Sequence, residues 1–198
     1  MMIAIIDSGG ANIASVQFAL ERLGAKSVLT QDVSVIQSAD KVLLPGVGAA
    51  PVAMQSLIES GLIDCIRGLT QPVMGICLGM QLLFARSPEG NTPLLGIFDA
   101  DCETFTPSHG RSVPHMGWNR LSTRQDHPLM AGVEEGAHVY FVHSYFAPVT
   151  AQTVAATSYG DDFTAIVAEN NFTGCQFHPE RSGPVGAQIL RNFLEMPS

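Results

Sequence analysis

The sequence predicts an α/β fold: a mostly parallel central sheet flanked by helices, with antiparallel strands appended in the C-terminal half. Three observations predict it. Through the first half, short apolar runs ended by glycine alternate with stretches of helical periodicity. The second half carries short strand patterns separated by turn signals. Near the end, Val185, Ile189, Leu190, Phe193 and Leu194 make one broad helical stripe.

Each element has its own warrant. Ile3–Ile6 is an apolar run closed by Asp7-Ser8-Gly9-Gly10, a strand and its breaker. Val16, Ala19, Leu20 and Leu23 follow i, i+3, i+4, i+7, one face of a helix that Gly24 stops. Ser27–Thr30 and Val42–Leu44 read as strands, the second running into Pro45-Gly46-Val47-Gly48. A helix over Pro51–Ser60 ends at Gly61, a strand follows over Pro72–Ile76, and a helix over Leu78–Ala85. Such alternation builds right-handed βαβ units and a parallel sheet covered on both faces. Gly117–Ser122, Ala137–Val142, Thr153–Ser158, Thr164–Glu169 and Phe172–Phe177 are then expected as antiparallel hairpins added to that sheet.

The chain of 198 residues is 46% hydrophobic and 14% charged, which predicts one domain over 1–198 with a substantial core. Its net charge of −8 comes without any Lys/Arg cluster, so no nucleic-acid footprint is present. The opening MMIAIIDSGG lacks a basic leader region, and no run approaches the ~20 apolar residues of a membrane span. A cytoplasmic chain is expected, in which the sequon Asn171-Phe172-Thr173 has no meaning. Of the four cysteines, none pairs as CxxC, and Cys65 and Cys102 read as small buried hydrophobes. His109, His115, His127 and His138 show no metal spacing and are expected to be structural or solvent-facing. No metal and no cofactor is called for.

Sites in open α/β sheets form beyond the carboxyl ends of the strands. Asp7–Asn12, Pro45–Gly48, Cys77 and His178 all fall at such ends. Gly75-Ile76-Cys77-Leu78-Gly79 has the form of a nucleophile elbow with cysteine in the serine position, although a buried cysteine at a strand–helix junction fits the same letters. Cys77 at a helix start is favoured as thiolate, the reactive form. Phe177-His178-Pro179-Glu180 offers a base. Residues two apart on a strand share a face, so His178 and Glu180 project together, with Pro179 marking a strand end or edge. Taken alone, a surface ion pair would account for them. A zinc deaminase also carries H-x-E, but the P-C-x-x-C that must follow is missing. Pro45-Gly46-Val47-Gly48 can aim N–H groups at an oxyanion, with the Leu78 N–H as a second donor, or be a plain turn. It is not a phosphate loop, because no Gly-Lys-Ser/Thr ending follows.

Pro45-Gly46-Val47-Gly48, Gly75-Ile76-Cys77-Leu78-Gly79-Met80-Gln81 and Gln176-Phe177-His178-Pro179-Glu180 resemble, in order and across most of the chain, the signatures of class I glutamine amidotransferases. The resemblance implies that Cys77 attacks the carboxamide of glutamine, His178 passes a proton to departing ammonia, and Glu180 orients His178. It places Gly46 and Val47 along the oxyanion strand and Gln81 against the bound glutamine. Within that family, Val113-Pro114-His115-Met116-Gly117-Trp118-Asn119, Tyr140-Phe141-Val142-His143-Ser144-Tyr145 and Asp7-x-Gly9-x-x-Asn12 are similar to the glutaminase subunits of imidazole glycerol phosphate synthases. The length fits a separate subunit without a fused synthase domain.

The finer resemblance implies that His143, Ser144 and Tyr145 line the glutamine pocket or its edge. It implies a (β/α)₈ cyclase partner that receives ammonia in a heterodimer of histidine biosynthesis. It also implies weak activity in the chain alone, with a peptide flip in Pro45–Gly48 as the switch. The glutaminase of pyridoxal phosphate synthase is similar in size and triad, but the Pro114–Asn119 segment argues against it. A non-catalytic assembly module would have no need of all three triad members. On the residues alone, Met116 and Trp118 read either as core or as the centre of an interface, and Arg181 as an interface cation or a solvated one.

Overall fold

A computed structural model of the chain describes residues 1–9, 13–107 and 111–197, so Asn12 and His109 lie outside the described residues. In the first half the strands are Met2–Ile6 (β1), Lys26–Thr30 (β2), Lys41–Gly46 (β3) and Val73–Cys77 (β4). Helices Ile13–Arg22 (α1), Val33–Ser38 (α2), Ala50–Glu59 (α3), Leu62–Arg67 (α4) and Leu78–Leu82 (α5) alternate with them. Short strands Arg86–Ser87 (β5), Thr92–Pro93 (β6) and Glu103–Thr104 (β7) come next. They are followed by His115–Arg120 (β8), Ser122–Thr123 (β9), His138–His143 (β10) and Tyr145–Phe146 (β11). Thr153–Tyr159 (β12), Asp161–Glu169 (β13), Phe172–Cys175 (β14) and helix Gly183–Glu195 (α6) complete the chain.

Among the described residues the main sheet has eight strands, ordered β2-β1-β3-β4-β14-β13-β12-β9. Pairing is parallel from β2 through β14 and antiparallel from β14 onward. The expected antiparallel group is therefore corrected in two places. Strand β14 is antiparallel to β13 but parallel to β4, buried along its whole length as central parallel strands are. Strands β8 and β10 leave the main sheet and pair as a separate ribbon. Their alternating burial gives them one inward face and one solvated face, which a two-stranded ribbon laid over a core can satisfy.

Alternation along β1 divides the core. Ile3 and Ile5 face a cluster containing Val16, Leu20, Ile189 and Phe193 of α1 and α6. Ala4 and Ile6 face the opposite cluster, with Ile36, Leu57, Ile66 and Leu82 of α2 to α5. Each such fully buried isoleucine contributes about 1.5–3 kcal/mol through area removed from water.

Helices α2 and α4 were not expected. Each has six residues, too few for a 3.6-residue period to show. Helix α2 did carry a signal: Asp32 caps it, Oδ1 accepting from the N–H groups of Ser34 at 2.8 Å and Val35 at 3.3 Å. Helix α5 is shorter than Leu78–Ala85. The Leu82 and Leu83 carbonyls accept from Leu95 and Ile97 at 2.9 and 2.8 Å, so a returning loop replaces its last turn. Among the described residues, no helix is long and apolar enough to cross a membrane.

Candidate active site

Cys77 ends β4 and starts α5 with φ 55° and ψ −114°, a backbone region that side-chain-bearing residues rarely enter. Glycines let the elbow close. A Cβ on Gly75 would lie 2.6 Å from the Gly79 carbonyl oxygen, and one on Gly46 would lie 2.8 Å from the Gly79 nitrogen. Helix α5 thus rests directly on the backbones of β3 and β4, and Gly46 is the register partner of Cys77.

The parallel pairing of β14 with β4 brings the second motif to the same edge. His178 leaves the sheet just beyond β14 and caps a 3₁₀ turn over Pro179–Arg181. The two side chains do meet, Nδ1 of His178 lying 2.8 Å from Oε1 of Glu180. This turn, rather than strand alternation, is what brings them together. The turn is stapled to β10: His178 N–H donates to the Tyr140 carbonyl at 3.0 Å, and Ser182 Oγ donates to the His178 carbonyl at 2.7 Å. Ser182 Oγ also accepts from the Tyr140 N–H at 2.9 Å.

Both side chains are nearly water-free, His178 at 8% and Glu180 at 2% exposure. Burial opposes charge on His178, but its interactions with the Cys77 sulfur and the Glu180 carboxylate outweigh that and raise its pKa to about 10. The Cys77 sulfur, itself buried, also has the Gln176 amide and the Val142 carbonyl at 3.8 Å each.

Val47, Cys77, Leu78, Gln81, His143, Ser144, Tyr145 and His178 line one cleft of ≈ 290 Å³. Gly46 stands one residue behind that wall, on a minute cavity shared with Glu180. Gln81 is held from behind, its Nε2 donating to the Tyr145 carbonyl at 2.8 Å and to Gln176 Oε1 at 3.0 Å. That leaves Gln81 Oε1 as an acceptor. His143 has both ring nitrogens engaged with protein, at Tyr145 O and His115 Nδ1. Burial, with the charges of His115 and His178 against it, lowers its pKa to about 3 despite the Tyr145 carbonyl.

Sequence reasoning gave no role to three neighbours. Gln176, fully buried, reaches both Gln81 and Cys77. Ser182 fastens the triad turn. Glu89 puts a carboxylate on the cleft wall, Oε2 accepting from the Ala50 N–H at 2.7 Å. None has a periodic signal, although Ser87-Pro88-Glu89-Gly90 reads as a turn and could have marked a loop facing the sheet end.

Met116 and Trp118 are 62% and 57% exposed, which overturns the core alternative for both. Trp118 packs edgewise on Tyr140, ring centroids 6.0 Å apart. Arg181 is exposed. His115 is buried, His127 Nδ1 accepts from the Leu129 N–H, and exposed His138 lies beside Arg120. All four cysteines are buried and free. Among the described residues, no three His, Cys, Asp or Glu side chains are grouped to hold a metal ion.

The family model for "Glutamine amidotransferase class-I" matches residues 4–196. The chain belongs to the class-I glutamine amidotransferases. This amidotransferase is 54% identical over 194 residues to the "Imidazole glycerol phosphate synthase subunit HisH" of Xanthomonas axonopodis pv. citri (strain 306), covering 98% of this chain and 97% of the relative. It is 50% identical over 191 residues to the protein of the same name from Mannheimia succiniciproducens, covering 96% and 98%. Among solved structures, one named "Crystal structure of glutamine amidotransferase" superposes with a TM-score of 0.74 at 21% identity, covering 98% and 97%. PurLQS from Thermotoga maritima superposes at 0.73 with 19% identity, covering 98% and 97%. At those identities the structural likeness speaks for the fold of this class-I glutamine amidotransferase alone.

Proposed function

We propose that this amidotransferase, one functional unit over residues 1–198, hydrolyses L-glutamine to glutamate and ammonia through Cys77, His178 and Glu180. The observation that carries the reading is their convergence: a strained cysteine and a buried His–Glu pair end adjacent parallel strands at one cleft. The Cys77 thiol passes its proton to His178 and the sulfur attacks the side-chain carbonyl carbon of glutamine, forming a tetrahedral oxyanion served by the Leu78 N–H and the Gly46–Val47 backbone. His178, held as imidazolium by Glu180, gives its proton to the amide nitrogen as the C–N bond breaks and ammonia leaves. Water then attacks the glutamyl thioester, His178 takes its proton, and the sulfur departs. Gln81 Oε1 and the Glu89 carboxylate suit the α-ammonium group of the substrate.

The ammonia goes to a cyclase subunit of imidazole glycerol phosphate synthase in the cytoplasm, within histidine biosynthesis. Full-length relatives at 50–54% identity carry the name of that synthase's subunit. The exposed Met116 and Trp118 offer a docking centre on the outer face of β8, beside Tyr140 of β10. Gly48, at φ +93°, gives the Pro45–Gly48 segment the backbone freedom that a partner-driven peptide flip requires.

The test is glutamate release by the purified chain, alone and with a cyclase subunit plus its ribonucleotide ligand. Low activity that rises sharply on mixing supports chemistry and partner together. Activity unchanged by the cyclase overturns the partner assignment, and none under any condition overturns the glutaminase.

A further inference from the structure

Behind the cleft wall runs a hydrogen-bond chain whose direction is fixed at both ends. At the inner end, the Tyr145 carbonyl oxygen can only accept, so His143 Nδ1, 2.8 Å away, carries the proton. At the outer end, Asn119 is oriented by backbone. Its Oδ1 accepts from the Arg120 N–H at 2.8 Å, and its Nδ2 donates to the Ser158 carbonyl at 3.0 Å. The second Nδ2 hydrogen then meets His115 Nε2 at 3.3 Å, which must accept. His115 is left with its proton on Nδ1, and Nδ1 lies 3.0 Å from the bare Nε2 of His143. The two ends thus demand the same tautomer of both rings, and no bond in the chain is frustrated.

We infer that His115, outside the glutamine cleft, is a positioning residue whose Nδ1–H holds the ring of His143, in the tautomer that Tyr145 demands, and thereby sets the Tyr145 carbonyl that holds Gln81. This rests on the glutaminase reading for its kinetic consequence but not for the tautomers. Burial supports it by keeping both rings neutral: the pKa of His115 falls to about 4 and that of His143 to about 3. Without the Nδ1–H of His115, the buried Nε2 of His143 loses its donor and the ring is no longer held from both sides. As the ring turns, its Nδ1–H draws away from the Tyr145 oxygen, and that carbonyl shifts from Gln81 Nε2. The damage falls on the glutamine-binding wall rather than on the contact between Cys77 and His178. The effect is expected in KM more than in kcat.

His115 also packs as a ring, 4.0 Å from Tyr159 and 5.0 Å from Phe141, which separates the two roles. His115→Phe keeps a ring and loses the donor. His115→Asn loses the ring but places an amide N–H near the Nδ1 position. If the inference holds, His115→Phe raises the KM for glutamine about tenfold, the loss of roughly one hydrogen bond, with kcat changed less than about threefold. His115→Asn stays near the parent. A purely structural His115 reverses that order, and the reversal, or equal effects in the two variants, overturns the inference.

Nitrogen-15 histidine spectra of the full chain at neutral pH read the tautomers directly, whether or not glutamine is turned over. A protonated Nδ1 and bare Nε2 are expected in both rings, and an Nε2–H form in either overturns the lock. Should His115→Phe fail to fold, Asn119→Asp at the half-exposed outer end replaces the donor by an acceptor and is expected to turn His115 to Nε2–H. Unchanged spectra in that variant overturn the inference equally.

Discussion

Gly79 of α5 lies so close to Leu44 of β3 that a Cβ on the glycine would stand 1.7 Å from the Leu44 carbonyl oxygen. No side-chain rearrangement relieves a clash with backbone, so Gly79→Ala must push α5 off the sheet. The expected cost is on the order of 3 kcal/mol or more, with the elbow distorted and glutamine hydrolysis lost. Gly136→Ala is the control: its φ of +78° is unfavourable but its Cβ would meet nothing within 4 Å, so about 1 kcal/mol is expected. Urea midpoints of the two variants check the contrast, and equal losses would mean that α5 does not sit on β3 as described.

Strain at Cys77 makes a second contrast. Replacing Ala by Gly ordinarily destabilises by about 0.5–1 kcal/mol. At φ 55° the order should invert, Cys77→Gly being more stable than Cys77→Ala by about 1 kcal/mol because glycine enters that conformation without strain. Both variants should lose glutaminase activity by on the order of 10³-fold or more. Thermal unfolding beside a glutamate assay tests both statements, and an alanine variant as stable as the glycine one would show the elbow to be unstrained.

What could be read beforehand was local. The helix of Val16, Ala19, Leu20 and Leu23 and the strand before Cys77 announce themselves by period and punctuation, and so do the glycine-flanked cysteine and His178-Pro179-Glu180. What escaped was non-local. Nothing in Phe172–Cys175 says that this strand pairs parallel to β4 on one side and antiparallel to β13 on the other, yet that choice sets His178 beside Cys77. Gln176 and Glu89 act through partners 99 and 39 positions away, and Ser182 ties the nearby His178 to Tyr140, 42 positions away, beyond the reach of any sequence window. Trp118 illustrates the limit from the other side. Its type suits a core or an interface, and only the separation of β8 and β10 into a ribbon puts it outside.

The Glu180 carboxylate is one of the causes that raise His178 to about 10. If ammonia leaves with the imidazolium proton, kcat/KM should hold through neutral pH and fall as pH rises through that value. Glu180→Gln removes one charge that favours imidazolium, so the His178 pKa drops and the alkaline limb moves to lower pH. The rate at the optimum should fall by on the order of 10³-fold as the ring loses its orienting partner. A pH–rate profile of both proteins decides this. An alkaline limb that stays in place in the variant would mean that another group controls it.

His115 and His143 should make the chain lose stability in acid well above the range where carboxylates titrate. In the unfolded chain both bind protons near pH 6.5, whereas in the fold burial holds His115 neutral down to about pH 4 and His143 to about pH 3. The unfolded state therefore binds more protons as pH falls below 6.5, and stability declines from there until the folded values are passed. For His115 the full excursion amounts to on the order of 3 kcal/mol. Between pH 7 and 4.5 the parent should accordingly lose more stability than His115→Phe, whose ring cannot take a proton. Urea unfolding at these two pH values measures the difference directly. A variant that loses as much as the parent would place the proton uptake elsewhere and remove His115 as an acid-sensitive element of the fold.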